Sequence, residues 1–405
     1  MTVATEFQLR EIYRNRDFYV PAFDIKIDGE SLPEYAGKDV IDVRYSDNID
    51  QIDSFEITVN NWDATQQDFK YTGSTKNTTT QPNRLFFPGN KIEIWMGYFL
   101  PPTAAARGED TGLQLMLVGL ITRITPNFPE SGQPTLKVSG QNALRELMNR
   151  QTTHIYTNKR DSEIAEELGR RGNFRIGNLE IPVRIDDNAK SQESVNEHVF
   201  QNNQYDIVFL LQRAHRNGYN LLLRQGDGVR LPRQYLFFGP LGQERRISYI
   251  LEWGKSLIQF QPTLTTSRQV YSVTINAWDA SRGRRITVTV DRSQLPTRGL
   301  RDRRELNSIE EGFRERSEVI VDRSFRNQAE ARQYALSRLS ENARDLVTGK
   351  GSTVGTPDLR AGSIIQMQKL GILFDGRYVV KSTTHTINAS GYITEFEARL
   401  EEENR

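Results

Sequence analysis

The sequence predicts a mainly β protein: two homologous β-barrel domains, a small α+β domain between them and a helical insertion in the second barrel. An internal repeat carries the prediction. FEITVNNWDA at Phe55 to Ala64 is closely matched by YSVTINAWDA at Tyr271 to Ala280, each a β-branched alternation ending in Asn-x-Trp-Asp. The segments downstream of the two copies match as well. PGNKIEIWMGY (Pro88 to Tyr98) falls on AGSIIQMQKLG (Ala361 to Gly371), and Val118 to Gly140 overlays Arg377 to Arg399 without a gap. A repeat of this size, once recognised, dictates the architecture. It predicts that Glu56 to Trp62 superposes on Ser272 to Trp278, and Thr135 to Ser139 on Thr394 to Ala398. The expected divisions are 1–150 for the first barrel, 151–250 for the α+β domain and 251–405 for the second barrel with its insertion.

Composition narrows the chemistry. The chain has 405 residues, enough for two to four domains with substantial cores. It has no cysteine, which removes disulfides, thiol nucleophiles and thiolate metal sites. Lys and Arg number 53 against 52 Asp and Glu, so no global field draws the chain to nucleic acid or anionic lipid. No window is apolar for the length a membrane helix needs. The first eighteen residues mix both charge signs without an apolar core, unlike a secretory signal.

In chain order, FYVPAFDIKIDG and DVIDVRYSDNIDQIDSFEITVNNWD alternate as strands, with Asp28-Gly29 a turn between them. Thr65 to Pro88 and Pro101 to Gly112 read as long polar loops, present in one β-copy and not the other and therefore expected to meet neighbouring molecules. Gln141 to Arg150 reads as a helix leading out of the barrel. Within the α+β domain, Ser162 is a plausible cap for a helix burying Ile164, Ala165 and Leu168. LEIPVRI reads as a strand that Pro182 assigns to an edge. Asp206 to Asn217 forms a helix stopped by Gly218, followed by a strand and a Gly226-Asp227-Gly228 turn. Further on, ITVTV at Ile286 to Val290 is a strand. Asn327 to Val347 is the most regular helix: Asn327 and Glu330 have capping-box spacing, and Ala331, Ala335, Leu339, Ala343 and Leu346 trace one stripe.

Motifs that suggest chemistry fail on detail. GKGSTVG at Gly349 to Gly355 has the composition of a phosphate loop but the wrong order, and it comes after a helix where a phosphate loop comes after a strand; it reads as a helix-to-strand connection. His154, His198, His215 and His385 are dispersed, so metal ligation would need assembly across domains. Residues 282–323 hold eleven Arg against eight Asp and Glu, an interleaving that suits a salt-bridged surface better than nucleic-acid binding. No catalytic, cofactor-binding or metal-binding residue is assigned from the sequence.

The ending TGKGSTVGTPDLRAGSIIQMQKLGILFDGRYVVKSTTHTINASGYITEFEARL and the middle stretch QNNQYDIVFLLQRAHRNGYNLLL resemble the phage late control protein D family, with Tyr205 and His215 departing from its usual residues. That family includes baseplate hub proteins of contractile tails and the hub part of type VI secretion spike proteins. The resemblance implies a non-enzymatic homotrimer whose two barrels per chain form a pseudo-sixfold ring, adapting a hexameric inner tube to a trimeric spike. Its partners would be the inner tube protein, a separate spike protein near Glu401 to Glu403 and other baseplate components, with no specific nucleic acid, no membrane insertion and no cofactor. It would be assembled in the cytoplasm as part of a virion or tail-like particle. The alternatives are a tail-associated peptidoglycan or polysaccharide hydrolase and an unrelated two-barrel binding module.

Overall fold

Strand pairing organises the chain in the computed structural model. Residues 10–11, 20–73, 84–99, 112–148, 150–172, 175–176, 179–186, 189–225, 234–240, 249–279, 283–295, 309–321, 325 and 327–400 are described. Ser74 to Asn83 of the first long loop, all but Gly112 of the second, the Gly226 to Gly228 turn, much of the arginine-rich segment and the acidic tail lie outside them.

The first sheet unit is built from β1 (Pro21–Ile27), β2 (Val40–Asn48), β3 (Ser54–Asn60), β4 (Lys91–Tyr98), β5 (Leu113–Asn127) and β6 (Thr135–Asn142). They pair antiparallel in the order β1-β4-β5-β6-β3-β2. Period-two alternation explains the curl: Phe55, Ile57 and Val59 turn into a core shared with Val43, Tyr45, Ile94 and Val138, while Glu56 and Thr58 face outward. No ladder joins β1 to β2, so hydrogen bonds leave the barrel open among the described residues and side chains fill it.

The middle unit holds β7 (Gln151–Lys159), α1 (Asp161–Gly172), β8 (Val183–Ile185), β9 (Asn196–Tyr205), α2 (Asp206–Asn217), β10 (Asn220–Gln225) and β11 (Gln234–Gly239). Ile164, Ala165 and Leu168 are buried with Phe209 and Leu210, and β8, after Pro182, is an edge strand. Gly218 adopts φ 70° and its N–H closes the end of α2. Two local expectations change. Gln141 and Asn142 finish β6, and only Ala143–Met148 coils, as a 3-10 turn. Strand β7 then pairs with β9, a partner too far along the chain for local sequence to announce. Ser162 lies inside α1 rather than before it, its N–H donating to the Glu193 carboxylate at 2.8 Å.

After β12 (Tyr249–Glu252) and β13 (Leu257–Leu264) comes an inserted unit: β14 (Ser272–Asp279), β15 (Arg284–Asp291), β16 (Ser317–Ile320) and α3 (Gln328–Arg344). The three strands form their own sheet, and α3 lays Ala331, Ala335 and Leu339 on Val273, Ile275, Val288 and Val290. The Asn327 side chain accepts the Glu330 N–H at 2.9 Å, as the capping spacing predicts, but the helix ends at Arg344 rather than Val347. Then β17 (Val347–Val354), β18 (Ile364–Gln368), β19 (Gly376–Asn388) and β20 (Gly391–Leu400) complete the second sheet unit, ordered β12-β18-β19-β20-β17-β13.

The two orders correspond, except that at the outer edge β12 runs parallel to β18 where β1 runs antiparallel to β4, and the expected repeat needs two corrections. The place of β3 is taken by β17, the GKGSTVG segment, and not by β14, whose YSVTINAWDA sequence belongs to the inserted sheet. A β-branched alternation suits any half-buried strand, so periodicity could not distinguish the two sheets. Bulk is redistributed instead: Ile57 opposite Val138 becomes Gly351 opposite Phe396. A Cβ on Gly351 would lie 2.7 Å from the Phe396 ring and one on Gly349 2.3 Å from the Phe260 ring, so glycine is what admits both aromatics.

The second correction is one of register. Ser139 pairs with Arg123 next to a bulge, and Glu397 pairs with Ser382 next to the equivalent bulge. Ser139 therefore matches Glu397, one residue from the gapless overlay, because the hairpin turns differ in length. Burial agrees: Leu136, Val138 and Gly140 correspond to Thr394, Phe396 and Ala398, all interior. Tyr392, Thr394, Phe396 and Ala398 point inward as expected, but Arg399, expected outward, is buried where the bulge interrupts the alternation.

Candidate functional site

The two sheet units are joined through one antiparallel seam, β2 against β19, with Asp42 to Asn48 opposite Asn388 to Ser382. Val43, Tyr45 and Asp47 occupy the inward register of β2, so alternation itself drives a carboxylate into the interior. It is fully partnered. Asp47 accepts from Arg360 Nε at 2.7 Å, from the Thr383 N–H at 3.1 Å and hydroxyl, and from the Ala361 N–H at 3.2 Å. Arg360 also donates to the Met116 carbonyl at 3.1 Å and to the Tyr45 hydroxyl, and lies 4.5 Å over the Tyr45 ring. Tyr45 in turn donates to Asp53 at 3.2 Å. Burial alone would raise the Asp47 pKa, but the Arg360 charge and the hydrogen bonds outweigh it and hold Asp47 below its ordinary value. Asp53 goes the other way: burial, reinforced by the Asp47 charge, raises it to about 7.

His385 lies at the same seam, fully buried, and burial lowers it to about 4. A carbonyl can only accept, so the 3.0 Å contact to Leu359 fixes the proton on Nε2 and leaves Nδ1 to accept from Tyr392 or Thr394, at 3.0 and 3.1 Å. A carboxyl titrating near 7 beside a second carboxylate has the profile of a catalytic acid. The space argues against it. The void reaching Asp47, Asp53 and Arg360 is about 20 Å³, room for roughly one water and no substrate. The network therefore locks one sheet to the other, and Arg224, donating to the Ala361 carbonyl at 3.1 Å, ties the middle unit to the same point.

The opposite face of these strands is the larger feature. Paired neighbours run Gln261–Lys350–Glu397–Ser382 across the second unit and Thr386–Arg44–Glu56–Ser139–Arg123 across the first, all on one side of an eight-strand path from β13 to β5. Charges alternate in sign along it, and Lys137 pairs with Glu56 at 2.9 Å. A sheet buried on one face and largely polar on the other, with Ile393 an exposed exception beside Thr386, suits a wetted wall.

The histidines are not brought together. His385 is interior, His198 is exposed on β9, His154 stands 3.9 Å from Glu167 and His215 3.7 Å from Asp50. Among the described residues no cluster of three or more His, Asp or Glu could hold a metal, and no helix is long and apolar enough to cross a membrane. Sequence reasoning missed Asp47, Asp53 and Arg360. An aspartate continuing the apolar register of Val43 and Tyr45 was the available signal for the first.

Residues 18–389 match the family model described as the Alg8 N-terminal domain. No curated protein matches in sequence. Among solved structures, the prophage MuSo2 43 kDa tail protein from Shewanella oneidensis superposes with TM-score 0.64 at 13% identity, over 93% of this chain and 98% of that one. The tail protein from Neisseria meningitidis MC58 gives 0.64 at 12%, over 94% and 97%. The E. coli c3393 protein, described as a component of the type VI secretion system with structural similarity to the T4 tail proteins gp27 and gp5, gives 0.54 at 13%, over 94% and 77%. The chain thus has a β-rich fold found in phage tail proteins.

Proposed function

The chain belongs to the Alg8 N-terminal domain family; from its tail-protein fold we propose that it is a structural hub of a contractile phage tail or tail-like injection particle. Three copies form a pseudo-sixfold ring that adapts a hexameric inner tube to a trimeric spike, in contact with other baseplate components, assembled in the cytoplasm and carried in the particle. The hub resemblance of the C-terminal motifs supports the same reading. The observation that carries it is the eight-strand path: two sheet units of the same strand order, seamed together, with a largely polar face turned to one side. Three chains supply six such units, which resolves six tube subunits against three spike chains. The polar face lines the channel, and the role requires no catalytic group.

Light scattering on the purified chain and class averages of negatively stained particles test this. The expected result is a threefold ring with six similar lobes and an open centre. A strictly monomeric species at high concentration removes the reading, and turnover of peptidoglycan by the pure chain replaces it with the hydrolase.

A further inference from the structure

We propose that the open edge of β13 in one copy of the chain pairs antiparallel with the distal half of β5 in a second copy, placing Phe260 opposite Phe128, Pro262 opposite Pro126 and Leu264 opposite Ile124. The setting rests on the proposed ring; the register comes from strand pairing within the chain. Among the described residues, β13 has β17 along one side and only a single bridge, at Leu257, on the other. Beyond Ile121, β5 has β6 on one side and no strand on the other. These two edges end the eight-strand path.

The internal correspondence says what belongs there. Strand β13 is the counterpart of β2: each pairs with its neighbour through a one-residue bulge, at Ile258 and Ile41, both exposed. Strand β5 is the counterpart of β19, by their shared bulge against β6 and β20. Since β2 and β19 pair with each other within the chain, β13 and β5 are the same two edges with their mates missing, and a second copy supplies both. Transferring the β2·β19 register gives the residue pairs. Tyr45 with His385 becomes Pro262 with Pro126, Asp47 with Thr383 becomes Leu264 with Ile124, and Ser46 with Thr384 becomes Thr263 with Thr125.

Two independent features of the edges fit this register. Phe260, Leu264, Ile124 and Phe128, the last 59% exposed, all fall on the core face, while Gln261 meets Asn127 and Thr263 meets Thr125 on the polar face. A slip by one residue would set apolar against polar at every position. The prolines are the second feature. Thr265 N–H donates to the Leu346 carbonyl, so the bonding positions of β13 towards β17 alternate through Thr263 and Gln261, and the Pro262 nitrogen faces the open edge. The bonds from Asn61 to Pro134 and from Asn142 to Asp53 turn the even positions of β6 towards β3, so β5 bonds β6 through Asn127, Thr125 and Arg123, and the Pro126 nitrogen also faces outward. In the transferred register both missing donors fall in one rung. Any other antiparallel register spreads the loss over two positions, so the prolines admit this pairing and discourage the rest.

Because the chain contains no cysteine, Thr125→Cys and Thr263→Cys give an unambiguous cross-link. The two positions form a non-hydrogen-bonded pair, with Cα atoms about 4.5 Å apart, within disulfide reach. Both side chains are exposed, and within one chain they lie at opposite ends of the path. Mild oxidation of a mixture of the two single variants, each with wild-type circular dichroism, is expected to give a covalent dimer that neither gives alone, formed at least about tenfold faster than from Asn127→Cys with Thr263→Cys. Light scattering is run on the same samples. An oligomer that yields no such dimer, or yields it equally fast from the displaced pair, overturns the pairing and leaves the ring standing. A monomer overturns both.

Discussion

Asp53 and His385 carry opposite pH dependences at one seam. The Asp53 carboxyl, 3.8 ordinarily and about 7 when folded, holds a proton that the unfolded chain has released, so its contribution falls as pH rises from about 4 to 7. His385, 6.5 ordinarily and about 4 folded, is neutral while the unfolded chain is protonated, so its contribution falls as pH drops from 6.5 to 4. Across that window the two offset each other. Asp53→Asn removes one of them: its melting temperature relative to wild type should climb as pH is raised from 4 to 7 and level off above, and a pH-independent difference would refute the assignment. Gly351→Val should cost about 1–3 kcal/mol by driving a side chain into the Phe396 ring. Combining it with Phe396→Ala should cost less than the sum of the two in urea unfolding, since the second change vacates the space the first needs.

Among the elements, α3 is the one whose sequence signals and tertiary role separate most clearly. Its cap is local, and Asn327→Ala should cost about 1 kcal/mol, read as faster hydrogen exchange in α3 and the β14-β15-β16 sheet with little change in the two sheet units. Uniform loss of protection across all sheets would show that the insertion is not a separate folding unit. Caps and stripes are short-range, so the stripe Ala331, Ala335, Leu339 and the stop at Gly218 were legible. The partner of that stripe was not, because β14 reads as a barrel strand until its neighbours are known.

For the whole molecule, the Asp47–Arg360 pair is the buried charged link at the β2·β19 seam between the halves, and removing one partner leaves a buried charge. Arg360→Met should destabilise by about 3–5 kcal/mol and loosen one sheet unit from the other, whereas Arg360→Met with Asp47→Asn should recover a substantial part. Equal loss in single and double variants would show that the charge is not what matters. The sequence by itself determined the mainly β class, the inward face Tyr392, Thr394, Phe396 and Ala398, and the two best helices, because alternation, helical spacing and turn chemistry act over a few residues. Tertiary structure alone decided that β17 and not β14 completes the second unit, that the hairpins differ by one residue of register, and that Asp47 meets Arg360 across the chain. Each depends on which strands lie side by side, and hydrogen bonds between strands far apart in sequence leave no local trace in the residues that make them.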